Sequence, residues 1–299
     1  MPWLQEVQPF VLHTNRHNSR SLTKRMVTFM KTLLRYFSLA KYFLKINIQC
    51  GLEYPSYLIS WLISNPLQFF FGIITVKVII TNFHALEGWS FEQIAFLYGL
   101  GIISHGLSVV FFIQTWYIDY MITDGEFDRL MVRPLNVFFQ FCFKDFNFVG
   151  ITDMLPGLVI FIYGCIASGF SFTVINIIKI LLVIIGATAL RGAIYTISGS
   201  LAFWTKRSGI LTSVYLTLFT YTTQYPVSIF PRLIQDLLTF ILPLAFISYF
   251  PSSEFFGIDT GYRFMGSLSV WTFGVGIAFY LLSMTVFKIG LRRYESCGS

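Results

Sequence analysis

The sequence predicts an all-α membrane protein, and three observations carry that prediction. The 299 residues are 55% hydrophobic and 12% charged, with 34 Phe, whereas soluble domains carry about 25% charged residues. Several apolar runs reach the ~20 residues with which an α-helix crosses the hydrocarbon core. Alternating segments of ~10 residues, the mark of a membrane β-barrel, do not occur. The expected architecture is six transmembrane helices, an N-terminal interfacial amphipathic helix and a re-entrant helical hairpin before the last span.

Residues 1–27 read as a polar cytoplasmic tail, with His13, Asn15, Arg16, His17, Asn18, Ser19 and Arg20 close together. They lack the apolar core of a cleavable signal peptide, so they are expected to stay on the mature chain. Over residues 28–50, steps of 100° gather Phe29, Leu33, Tyr36, Phe37, Ala40, Phe43 and Leu44 on one face. Lys31, Arg35, Lys41 and Lys45 fall opposite, while Leu34 and Leu39 lie outside the stripe. A basic amphipathic helix with an aromatic face belongs in the membrane interface.

Residues 51–299 form the predicted six-span domain, with spans at about 57–80, 91–118, 147–168, 175–203, 209–223 and 264–287. The stretch 224–263 is apolar yet holds Pro226, Pro231, Pro243 and Pro251. Proline removes a backbone donor and clashes with the preceding turn, so short helices are expected there instead of one crossing. Irregular backbone persists at membrane depth only where protein or a water-filled cavity covers it.

Charge sets the orientation. Eight Lys/Arg lie between residues 16 and 45. Arg129, Arg133 and Lys144 come after the second span, Lys206 and Arg207 after the fourth, and Lys288, Arg292 and Arg293 end the sixth. That places sixteen of the 21 basic residues on one side, and Lys77, Arg232 and Arg263 on the other. Cytoplasmic loops concentrate Lys and Arg, so both termini are expected inside a multi-pass plasma (inner) membrane protein with an even number of spans. The formal charge of +7 is thus a topology signal, and no nucleic-acid partner is expected.

Inside the fourth span Thr188, Gly192, Thr196 and Ser200 recur every four residues, a stripe that lets backbones approach. Arg191 stands near mid-membrane, where a charge needs a partner or water. Asp153 is the nearest carboxylate by sequence but matches poorly in depth, so the partner stays open. Catalytic signatures are missing. Without a Gly-Lys dipeptide the chain has no phosphate-cradling ATP loop, and neither His-Glu-x-x-His nor Gly-x-Ser-x-Gly occurs. His84 and His105 stand alone and the four cysteines are scattered. The expectation is a chain that is not an enzyme, with no catalytic, cofactor-binding or metal site of its own.

One hydrophilic island, 119–140, interrupts the apolar pattern with Asp119, Asp124, Glu126, Asp128, Arg129 and Arg133 in amphipathic helical order, ended by Pro134. Mere lipid-surface anchoring needs only positive residues, so the acids point to a soluble partner. Taken with Leu201-Ala-Phe-Trp-Thr205, Tyr225-Pro-Val-Ser-Ile-Phe-Pro231, Pro243-Leu-Ala-Phe246 and Leu291-Arg-Arg-Tyr-Glu-Ser296, the island resembles the permease subunit of a type-2 ATP-binding-cassette exporter, multidrug-type branch. The resemblance runs from about Thr28 to the C-terminus. It implies that Asp124, Glu126, Asp128, Arg129, Arg133 and Pro134 couple to a cytoplasmic ATPase dimer that holds ATP and Mg²⁺. It also implies a second permease, identical or related, and an outer gate at Tyr225, Pro226, Phe230, Pro231 and Pro243. Cargo is open among drug, lipid, peptide and glycan, with hydrophobic, amphipathic or cationic small molecules favoured by the resemblance. A secondary transporter would need coupling-ion sites and broken helices in both halves; a non-transporting scaffold is the other alternative.

Overall fold

The computed structural model describes residues 14–83, 88–144 and 147–295. The chain divides into two units, 1–46 and 47–299. The first is helical from Thr14 as part of α1 (Thr14–Glu53). Helix therefore begins well before residue 28, inside the expected polar tail, whose first thirteen residues lie outside the described ones. Lys, Arg, Leu and Met dominate Ser21–Leu34, and all are good helix formers.

The second unit contains α2 (Pro55–Phe83), α3 (Phe91–Phe112), α7 (Val149–Ala167), α8 (Val174–Ser200), α10 (Gly209–Gln224) and α13 (Leu268–Arg292) as its main helices. Between α3 and α7 lie a 3₁₀ turn (Ile113–Tyr117) and the short helices α4 (Ile118–Thr123), α5 (Glu126–Met131) and α6 (Val137–Lys144). α9 (Ala202–Thr205) comes directly after α8; α11 (Arg232–Asp236) and α12 (Tyr249–Phe256) lie between α10 and α13. No strand occurs among the described residues. The protein is an all-α membrane protein. Among the described residues, five stretches are long and apolar enough to cross a bilayer: Pro55–Thr81, Phe91–Thr123, Val149–Ala167, Val174–Thr205 and Leu268–Arg292. The other expected span forms α10, whose 16 residues extend about 24 Å, short of the ~30 Å core.

Local signals set the helix starts. Ser90 Oγ accepts from the Gln93 amide at 3.3 Å and Gln93 Oε1 accepts from the Ser90 amide at 3.0 Å, a reciprocal capping box on α3. Thr173 caps α8 through the Asn176 amide at 3.3 Å.

α3 is the centre of the bundle: from Ile94 to Ile103 every residue is buried, as expected of a helix apolar on all sides. α7 runs antiparallel along it through a seam of Gly99, Gly106, Gly150, Gly157 and Gly164. A Cβ at Gly106 would lie 2.5 Å from the Gly150 carbonyl oxygen, so backbone contact leaves no space for one. α8 runs parallel to α3, and α13 runs parallel to α8, meeting it at Gly186 and Gly276, with Phe203 just after α8 against Gly290 near the end of α13. The predicted small-residue stripe does pack: Gly192 rests on Phe112, and Thr196 and Ser200 bond back to Gly192 O (2.7 Å) and Thr196 O (2.5 Å). Outward faces are apolar, with Ile59, Ile63, Phe71 and Ile74 on α2 and Leu281 and Ile289 on α13 exposed.

The proline-rich stretch breaks as its sequence predicts. Between α10 and α13 lie a 3₁₀ turn (Val227–Ile229), α11, a π turn (Leu237–Ile241), another 3₁₀ turn (Leu244–Phe246) and α12. Gln235 Nε2 donates to the carbonyls of Ser228 (3.0 Å) and Phe230 (2.8 Å), satisfying groups that a continuous helix would have paired. Glu254 on α12 closes the segment onto its neighbours. It accepts from Lys179 Nζ (2.7 Å), Ser267 Oγ (2.7 Å), and both Ser269 N (2.6 Å) and Oγ (2.8 Å).

Candidate functional site

Two regions carry polar groups that packing alone does not require. The first is the end of the bundle holding α4, α5 and α6. The expected single helix is instead an elbow of three, because Gly125 takes a left-handed conformation (φ +67°) that favours glycine and Pro134 lies in the turn between α5 and α6. α5 stops at Met131, three residues before that proline.

Phe127 fixes the elbow. It is fully buried, with its ring 5.3 Å from Phe203, 5.8 Å from Phe141 and 5.7 Å from Tyr294. Phe287 joins the same cluster, 5.6 Å from Phe203. Three motifs far apart in sequence, around residues 127, 203 and 294, thus meet in one aromatic knot. The basic residues of the island, the 206–207 turn and the end of α13 accordingly gather at one end of the bundle.

With Phe127 inward, α5 turns Asp128 and Arg129 outward. Asp124, Met131, Val132, Arg133 and Pro134 are also exposed. Glu126 differs: it is half-buried and pairs with Lys144 Nζ at 3.1 Å, bracing α5 against α6. Gln140, buried, donates to the carbonyls of Leu130 (3.2 Å) and Leu135 (3.1 Å) and closes the turn. Asp119 reaches elsewhere. Its Oδ2 accepts from the amides of Ser208 (3.1 Å) and Gly209 (3.0 Å), so the elbow's first helix caps the start of α10.

The second region is a cavity of about 400 Å³ among α2, α3, α7, α8 and α10. Arg191 lines it, 1% exposed. Its Nη2 donates to Thr223 Oγ1 (2.7 Å) and to Gly101 O (3.4 Å), and its guanidinium lies 4.6 Å from the Phe219 ring centroid. No carboxylate lies within 4 Å among the described residues. Asp153, the candidate by sequence, is engaged elsewhere: Asn65 Nδ2 donates to its Oδ1 and His105 Nε2 lies 3.7 Å from its Oδ2. His105 is therefore not isolated, a correction to the sequence reading. It and Asp153 are 48 positions apart and meet only because α3 and α7 pack antiparallel. Leaving a charge without a counter-ion in low dielectric costs several kcal/mol, so Arg191 is an unusual investment in a packed helix.

The predicted gate residues lie in the broken stretch that follows α10. Tyr225 and Phe230 pack against the main core, Pro226 and Pro243 are buried and Pro231 is exposed. Tyr225 and Pro226 come directly after Gln224, which lines the cavity.

A multi-pass helical bundle with an exposed charged elbow at one end and a polar cavity inside defines a membrane-transport component. The chain belongs to the ABC-2 transporter family: the family described as ABC-2 family transporter protein matches residues 66–298. It is thereby the membrane component of an ATP-binding-cassette system, not its ATPase. The comparison with curated proteins found no match.

Proposed function

We propose that this chain is the permease subunit of an ATP-driven exporter, working with a second permease and a cytoplasmic ATPase dimer that carries the ATP and Mg²⁺. The observation that carries this reading is the elbow of α4–α6. Its apolar side is locked into the bundle by Phe127, while Asp124, Asp128, Arg129 and Arg133 face outward. A family member that lacks a nucleotide site of its own needs such a surface. Carboxylates and guanidinium forks side by side suit a mixed-charge cleft.

The same elbow is joined to the transport path. Asp119 grips the first amides of α10, and Thr223 near the other end of α10 holds Arg191 in the cavity. A push on the elbow moves α10 as a rigid rod, which changes the cavity and fits rigid-body alternating access. α10 also runs opposite to α8 and α13, which supports six passes, with the broken stretch 225–250 completing the crossing that α10 begins. That stretch serves as the outer gate, and the basic end of the bundle faces the cytoplasm. The cargo is a small amphipathic or hydrophobic molecule, suited to a cavity walled by Trp61, Phe69, Trp116 and Phe219. The cationic cargo also implied by the resemblance is opposed by Arg191.

Replacing Asp124, Arg129 and Arg133 together by Ala tests the assignment. Retention of the cognate ATPase on the purified permease should fall at least about tenfold, since interfacial charges contribute several kcal/mol where desolvated. Thermal unfolding of the permease alone should stay unchanged, because the three side chains are exposed. Wild-type retention of the ATPase would remove the elbow from the coupling role.

A further inference from the structure

We propose that Arg191 is an anion anchor: the cavity binds a small amphipathic molecule bearing a carboxylate, sulfonate or phosphate, with its apolar body against the aromatic wall. The inference rests on the permease reading for what the bound molecule is for, but not for whether it binds.

The argument starts from unused hydrogen-bonding capacity. A guanidinium offers five N–H donors. Nη2 makes both hydrogen bonds of Arg191, and the fully buried Nε makes none. The buried Tyr195 hydroxyl beside it makes no hydrogen bond of normal geometry among the described residues, although Arg191 and Ser108 both lie close to it. Both line the cavity. The acidic side of the cavity is more fully occupied. One oxygen of Asp153 takes the Asn65 amide, and the other faces His105. Among the described residues, spare capacity in the cavity is therefore that of donors, with one guanidinium lacking a carboxylate. An anionic head group can take two N–H bonds from such a fork, whereas a cationic one meets the repulsion of Arg191.

The walls select the rest of the ligand. The Phe219 ring lies 4.6 Å from the guanidinium, and Trp61, Phe69 and Trp116 line the same cavity. About 400 Å³ is near the lower end of the range for small-molecule sites, and far more than a single water needs. An aromatic acid of one or two rings is the smallest molecule that uses both the fork and the wall.

Titration calorimetry of the full chain in phosphatidylcholine nanodiscs, with empty nanodiscs as the blank, tests this with three probes sharing one body. 2-Naphthoate should bind at least about tenfold more tightly than 2-naphthol or 2-naphthylmethylammonium, a difference of about 1.4 kcal/mol. Arg191→Gln should abolish that preference and leave 2-naphthol binding unchanged. Arg191→Lys keeps the charge but not the fork, and should weaken 2-naphthoate alone; it serves where the Gln variant fails to fold. Equal affinities for the three probes would overturn the proposal. So would tightest binding of the ammonium with its loss in Asp153→Asn. Repeating the titration in dodecyl maltoside micelles, which carry no phosphate, separates two sources of the anion. Tightened 2-naphthoate binding there assigns the anchor to lipid phosphate, and unchanged binding assigns it to a soluble acid; either supports the anchor. No ATPase is present, so failure of the coupling assignment leaves this result standing, and the converse holds as well.

Discussion

Glu254 shows how much a single side chain can hold. Its four close donors come from α8 and from the start of α13, while Glu254 itself belongs to α12. Burial pushes its carboxyl up, but the Lys179 ammonium and then the Ser267 and Ser269 donors outweigh burial and hold it below the ordinary 4.5. A depressed folded pKa gives stability that is complete above the unfolded value and is lost as pH falls through the lower folded one. Glu254→Gln should therefore lower the unfolding midpoint at pH 7, with a loss of roughly 1.5–3 kcal/mol expected for charged hydrogen bonds. Wild type and variant should converge in strongly acid detergent solution. A midpoint gap that persists unchanged under acid conditions would show that shape, not charge, makes the contribution. Nothing in the sequence marks this residue, because its partners lie 13, 15 and 75 positions away. Asn65, His105 and Asp153 lie on three different helices, and although the sequence singles out Asp153 as a carboxylate inside a span, only the packing of α2, α3 and α7 makes the three a cluster.

Helices are far more legible in the sequence than their contacts, for a physical reason. Length and apolarity fix a membrane helix locally, so the ends of α2, α7, α8 and α10 fall within about three residues of the sequence expectation. Elements held by tertiary contacts are harder to read. The island reads as one amphipathic helix, but Gly125 and the burial of Phe127 bend it into an elbow. Proline frequency does reveal the broken stretch before α13, since its effect is local as well. Two expectations test the element contacts. Gly106→Ala should destabilise by about 1–3 kcal/mol, because the added methyl meets the backbone of α7 at Gly150; detergent unfolding measures it, and a neutral result would mean that α3 and α7 separate easily. Asp119→Ala removes the cross-helix cap of α10, at a cost of about 1 kcal/mol in stability. It should keep ATPase retention near wild type while reducing ATP-driven efflux several-fold. If efflux stays normal, force does not pass from the elbow through Asp119 to α10.

Direction of travel makes the whole molecule more than its helices. α3 and α8 run toward the elbow, α7 and α10 away from it, and α13 returns. The basic island, the 206–207 turn and the end of α13 therefore share one end, as the charge asymmetry of the sequence anticipates. α10 stops about at the level of Tyr98 and Gly101 on α3, well short of the start of that helix. The broken stretch after α10 must either cover the remaining depth and stay outside, or cross back. Arg232 stacks 4.0 Å from the Tyr262 ring, and Tyr262 donates to Asp236 at 2.6 Å, so α11 is tied to the loop that leads into α13. This contact places residues 232 and 259–262 together at the end opposite the elbow. Single cysteines at the exposed positions Leu233 and Asp259, in a chain otherwise free of cysteine, should both react with an impermeant maleimide added outside intact cells. A cysteine at Lys206, also exposed, should react only after the cells are opened. If Leu233 is labelled only from within, the broken stretch crosses the membrane, the span count changes, and the outer gate is lost from the mechanism.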